Sequence, residues 1–108
     1  FLPGEVVVDY ALRLKRDFDR SRLWINAYAN DCPCYIPSER ILKEGGYEGG
    51  GAMIYYGRPG PFTEAVEELI VGEVRRLGRG GGLFGHGALD MKAVFMGLSG
   101  SDWAAWTK

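Results

Sequence analysis

This 108-residue chain has one histidine, His86, and two cysteines, Cys32 and Cys34. A self-contained zinc finger needs four Cys or His ligands at characteristic spacings, and His86 lies far from the cysteine pair in a different compositional zone. With a single proline between them, Cys32 and Cys34 are also too close for an unstrained disulfide, so both are expected to be ordinary buried or half-buried thiols. Charge of one sign is missing as well: 13 basic against 14 acidic residues gives a formal charge of -1. That balance leaves no electrostatic footprint for nucleic acid or an anionic membrane. No apolar run approaches the roughly 20 residues that span a bilayer, and no basic segment leads into an apolar one as in a signal peptide. The chain opens at Phe1, already inside an apparent structural motif, which reads as a piece of a longer protein. Its length allows at most one modest domain.

What is present is a patterned first part. Val7, Tyr10, Ala11, Leu14 and Phe18 recur at helical spacing, with Arg13, Lys15, Arg16 and Asp17 left for solvent, and the spacing predicts a helix. The competing strand pattern takes Val6, Val8, Tyr10, Leu12 and Leu14 at period two. After the polar break Asp19 to Arg22, the aromatic run Leu23 to Ala29 predicts a strand buried on both faces. Ser38 is a candidate N-cap for a short helix through Ile41 and Leu42 that stops at Gly45 and Gly46. Tyr47 to Gly51 reads as a loop, Ala52 to Tyr56 as a short extended piece, and Gly57 to Pro61 as a turn. Thr63 then caps the clearest helix, with Ala65, Val66, Leu69, Ile70, Val74 and Leu77 on its apolar face and Gly78 as its stop.

Composition divides the chain at residues 1–78 and 79–108, a patterned part followed by a Gly-rich linker and apolar tail. Gly80 to Gly82 are expected to be flexible, and Leu89 to Leu98 fit one weakly segregated helix, a disordered tail or a reading-frame artefact. Trp103 and Trp106 add an apolar surface if exposed. The glycine triplets at Gly49 to Gly51 and Gly80 to Gly82 lack the lysine and hydroxyl residue of a phosphate-binding loop. Glu39, Glu44 and Glu48 read as a solvated face, and Asp31 as a residue that shapes a turn through its own backbone.

One stretch is more specific than any of these patterns. Ala29-Asn30-Asp31-Cys32-Pro33-Cys34-Tyr35-Ile36-Pro37-Ser38-Glu39-Arg40, continued by Gly45-Gly46-Tyr47-Glu48-Gly49-Gly50-Gly51-Ala52-Met53-Ile54-Tyr55-Tyr56-Gly57, resembles the late part of the catalytic domain of the neutral/alkaline ceramidases. The likeness covers about residues 1–77. It implies a fragment of a mixed α/β catalytic domain, with helices packed on a small incomplete sheet. The activity it implies is zinc-dependent amide hydrolysis, in which ceramide is cut to a sphingoid base and a fatty acid. Location outside the cell or at a membrane surface is likewise an implication of the resemblance alone.

The resemblance also assigns roles. Glu5, in the Pro-Gly-Glu approach to the first helix, matches the family's glutamate zinc ligand, whereas the residues alone suggest an acid stabilising a helix dipole. Tyr56 matches the tyrosine that hydrogen-bonds the substrate amide, a role a phenol can fill, and the plain alternative is a half-buried aromatic with its hydroxyl in water. The family's tyrosine ligand, counted five residues before Tyr-Glu-Gly, falls on Leu42, which cannot bind zinc. Either Tyr47 replaces it, or the metal is held by fewer or different ligands, or it is lost. The two histidine ligands would come from sequence upstream of Phe1, so the chain alone is expected to be inert. The competing functional readings are a degenerate non-catalytic paralogue and a small interaction module docking a partner through Met91, Met96, Trp103 and Trp106.

Overall fold

The computed structural model describes residues 1–80, and the expectations for Gly81, Gly82, His86, Leu89 to Leu98, Trp103 and Trp106 lie outside the described residues. Two short extended pieces begin the fold. Ile36 precedes Pro37, which drives it out of the helical region, and Val6 is β-branched, so Tyr35–Ile36 (β2) pairs in parallel with Glu5–Val6 (β1). The register sets Glu5 opposite Tyr35 and Val6 opposite Ile36. Because strand neighbours point to opposite faces, Ile36 enters the core and the Glu5–Tyr35 pair takes the other face.

The first helix, α1, spans Val8–Asp17 and buries Tyr10 and Leu14, as its helical spacing predicts. Val8 and Leu12, which the strand pattern would have paired inward, are exposed. Tyr10 carries its hydroxyl into the interior and donates it to the Pro37 carbonyl at 3.0 Å. Glu5 lies outside this helix, on β1, so the acid in the first turn is Asp9 instead.

Ser38 caps α2 (Glu39–Glu44) as expected, accepting from the Ile41 amide at 3.3 Å. The same hydroxyl donates to Asp9 Oδ2 at 2.5 Å, and Arg40 reaches both Asp9 and Glu44, so one buried serine ties α2 to α1. Gly45, at φ 75°, ends the helix. The expected loop from Tyr47 instead contains a helical turn, α3 (Gly46–Gly49), and the expected extended piece is a 3-10 helix, Gly51–Tyr56. Ala52 and Met53 are buried and Ile54 and Tyr55 exposed, a two-in, two-out pattern that the period-two alternation of a strand does not give.

The last described helix, α4, runs over Val66–Gly80. It starts later than a Thr63 cap implies, because residues 64 and 65 form a turn in which the Thr63 carbonyl accepts from the Val66 amide at 3.1 Å. Its inward face is Val66, Ile70, Val71 and Val74, while Leu69 is turned outward. Gly78 does not stop the helix: a Cβ there would lie 3.0 Å from the Phe18 ring, so this glycine serves close packing against the end of α1. Arg13 with Glu67 at 2.8 Å, and Arg75 with Asp17 at 2.6 Å, fasten α4 along α1.

The expected strand Leu23 to Ala29 is not one. Tyr28 and Asn30 adopt φ of 56° and 66°, values no regular strand contains, and Trp24 and Tyr28 are exposed rather than buried on both faces. The segment still hydrogen-bonds along residues 2–4, through Leu2 N to Asn26 O at 2.8 Å and Tyr28 N to Gly4 O at 3.0 Å. Helices and a two-stranded parallel sheet therefore make a small α/β unit among the described residues, and no described helix is long and apolar enough to cross a membrane.

Candidate functional site

Glu5 is the centre of a cluster of phenols drawn from four separate parts of the chain. The Tyr56 hydroxyl, delivered by the end of the 3-10 helix, donates to Glu5 Oε1. The Tyr28 hydroxyl donates to the other oxygen, Oε2, at 2.9 Å. Tyr35 faces the same carboxylate because the parallel register makes it the direct partner of Glu5. Tyr47, on α3, stands one ring further out, edge-on to Tyr35 with centroids 5.5 Å apart, and Tyr55 tilts against it at 6.1 Å. The rings of Tyr35 and Tyr56 are also edge-to-face, at 6.4 Å.

Backbone geometry explains the convergence. Gly4 holds φ of 81° immediately before Glu5, and a Cβ there would lie 2.8 Å from Ile36 Cγ1 and 2.9 Å from the Cys34 carbonyl. Only glycine brings β1 close enough for the Glu5 amide to reach that carbonyl, at 3.0 Å. Tyr56 is followed by Gly57 at φ 62°, and Arg58 then donates to the Pro33 carbonyl at 3.0 Å. That bond holds the end of the 3-10 helix against the Cys32-Pro33-Cys34 segment leading into β2.

The hydrogen bond from Tyr56 is the main cause that holds the Glu5 carboxyl below its ordinary value, with Tyr35 and Tyr28 adding to it against a desolvation effect. The phenols respond in the opposite sense. Hydrogen bonding to Glu5 raises Tyr56 and Tyr28 above the usual phenol range and pushes Tyr35 up to about 12. At neutral pH the cluster is thus one carboxylate anion held by protonated phenols. Cys34 is fully buried, and burial pushes its thiol up to about 11; Cys32 is half-buried, contacts Tyr56, and is likewise unbridged.

These shifts set a pH dependence. A carboxyl whose folded-state value is depressed contributes stability above its unfolded value, about pH 4, and loses it as pH falls through the lower folded value. Glu5 and Asp9, the latter lowered chiefly by Arg40, both act in this sense. Thermal midpoints are expected to be flat near neutrality and to fall below about pH 4. Glu5→Gln should make that fall shallower, and an acid limb unchanged in the variant would show that Glu5 contributes nothing to it.

Of the residues named from the sequence, Glu5 and Tyr56 meet directly and Tyr47 joins through a ring. Leu42, the position the resemblance reserves for a second tyrosine, packs against the hydrophobic core. Tyr28 and Tyr35 were missed. The signal for Tyr35 was available, since pairing of the two short extended pieces would have placed it opposite Glu5; Tyr28 gave none, because its placement depends on a left-handed backbone in an expected strand. Asp31 does bond its neighbouring backbone, accepting from the Cys32 amide at 2.8 Å. Glu39 and Glu44 are engaged in exposed pairs with Lys43 and Arg40.

Among the described residues no three His, Cys, Asp or Glu side chains are grouped to hold a metal ion. Glu5 suits one hard oxygen ligand, but one carboxylate ringed by protonated phenols is not a complete zinc donor set. No family model, curated protein or solved structure matches this chain.

Proposed function

We propose that this chain supplies the carboxylate-and-phenol half of an amide-hydrolysing site, as part of a zinc-dependent amidase resembling the neutral ceramidases. The observation that carries the reading is the meeting of Glu5 and Tyr56 across 51 positions of sequence, the two residues the resemblance marks for metal and substrate. In this reading Glu5 is one zinc ligand and two histidines come from upstream sequence. Zinc, when bound, supplies a Lewis acid and an activated water. Tyr56 carries the proton that a carbonyl oxygen entering beside Glu5 would compete for, which suits it to steady developing negative charge. Tyr35 faces Glu5 and Tyr47 backs Tyr35 instead, so in this reading Tyr35, rather than Tyr47, stands in for the tyrosine that the chain lacks at Leu42. The substrate class, an N-acylated sphingoid base, follows from the resemblance.

The test is the protein extended upstream, assayed for zinc content and for fatty acid released from a ceramide analogue. Glu5→Ala is expected to lower both. Tyr56→Phe should retain zinc and lose about 10²–10³ in kcat, the usual effect of removing one oxyanion donor. A zinc-free, inactive parent would end the amidase reading and favour a scaffold without metal, for which the leucine at position 42 speaks.

A further inference from the structure

We infer that Tyr28 is a positioning residue for Glu5, its backbone held left-handed so that its phenol fixes one carboxylate oxygen while Tyr56 takes the other. The inference rests on the amidase reading only in treating Glu5 as the working carboxylate. Three observations support it. Tyr28 has φ of 56°, a conformation that bulky side chains rarely adopt, whereas Asn30 at 66° belongs to a residue type that tolerates it. Core formation does not explain this strain, since Tyr28 is 63% exposed. Backbone and side chain also grip the same dipeptide, the Tyr28 amide bonding the Gly4 carbonyl at 3.0 Å and its hydroxyl bonding Glu5 Oε2 at 2.9 Å.

That double grip explains why a strained residue is kept at an exposed site. A glutamate on a two-residue strand has three rotatable side-chain bonds and can swing into solvent. Tyr56 bonding one oxygen leaves rotation about that contact, and a second donor on the other oxygen removes it. Holding a metal-binding or reacting carboxylate in one orientation is what outer hydrogen-bond partners do in hydrolytic sites, where their removal costs about 10–100-fold in affinity or activity. Tyr28 touches neither metal nor substrate in this role; it acts through Glu5.

The experiment uses the upstream-extended protein with carbon-13 in its glutamate carboxyls, comparing Tyr28→Phe and Tyr28→Gly with the parent. Tyr28→Phe keeps the ring and deletes the hydroxyl. It is expected to shift the Glu5 carboxyl resonance and lower kcat about 10–100-fold, leaving KM within about twofold. Tyr28→Gly is expected to lose the same activity while its denaturation midpoint is at least that of the parent, because glycine accepts the left-handed backbone without strain. A purely structural role predicts the reverse, a lower midpoint with kcat retained. An unmoved Glu5 resonance in Tyr28→Phe would overturn the inference whatever the activity. If the parent proves inactive and the resonance still moves, the amidase reading fails while the positioning of Glu5 by Tyr28 stands.

Discussion

Alanine in place of Gly4 is expected to lower the free energy of unfolding by about 3–4 kcal/mol and to dismantle the phenol cluster with it. The left-handed backbone at φ 81° alone costs an L-residue about 1–2 kcal/mol. Crowding adds the rest, since the new Cβ would meet Ile36 Cγ1 at 2.8 Å and the Cys34 carbonyl at 2.9 Å. Ile36 is locked in the core, and the carbonyl is the acceptor that fixes the Glu5 amide, so relief means separating β1 from β2. Glu5 then loses its register with Tyr35. Gly72→Ala is the matched control: it sits inside α4 with nothing within 4 Å of the added atom and should stabilise by about 0.5–1 kcal/mol. Denaturant unfolding of both variants, with the tyrosine absorbance of the folded state, reads the contrast; equal and small effects would show that β1 does not need its glycine.

Truncating Tyr10 to alanine should cost about 3–5 kcal/mol, the range for deleting a buried aromatic ring. Tyr10 has no exposed surface and stands in the core with Leu14, Ile36, Ile70 and Val71, where α1, β2 and α4 meet. Tyr10→Phe separates the ring from its hydroxyl. It should cost only about 1–2 kcal/mol, for the loss of the bond to the Pro37 carbonyl. That carbonyl directly precedes Ser38, so the smaller loss should also loosen the start of α2. Urea midpoints of the two variants distinguish packing from hydrogen bonding; a Tyr10→Ala variant within about 1 kcal/mol of the parent would mean that the core does not close around this ring.

Helices were the most legible part of the fold. α1 buries Tyr10 and Leu14 at the positions their spacing marks, and α2 begins at its serine and ends at its glycine. In both, the signal is local: a stripe at one period, a hydroxyl one turn from an amide, a residue free to take positive φ. Where a segment's state depended on a distant partner, the reading failed. Leu23 to Ala29 has the composition of a central strand, yet it lies along residues 2–4 and carries Tyr28, with Asn30 just beyond it, in the left-handed region. Ala52 to Tyr56 looks extended, yet its burial runs two in and two out. At the other end of α4, Gly78 reads as a stop, yet the helix runs through it and the glycine packs closely against the Phe18 ring.

The candidate site divides in the same way. The family resemblance, rather than residue types alone, singled out Glu5 and Tyr56, and the balance of charge spoke against a nucleic-acid surface. Which oxygen of Glu5 each phenol takes, and that Tyr28 and Tyr35 belong beside it, were decided by tertiary structure. The physical reason is distance along the chain. Helix periods and caps act over a few residues and are written in neighbouring letters, whereas Glu5 meets partners 23 and 51 positions away through a two-residue ladder and a left-handed loop. Those contacts exist only once the core around Tyr10 and Ile36 has brought the separate segments together.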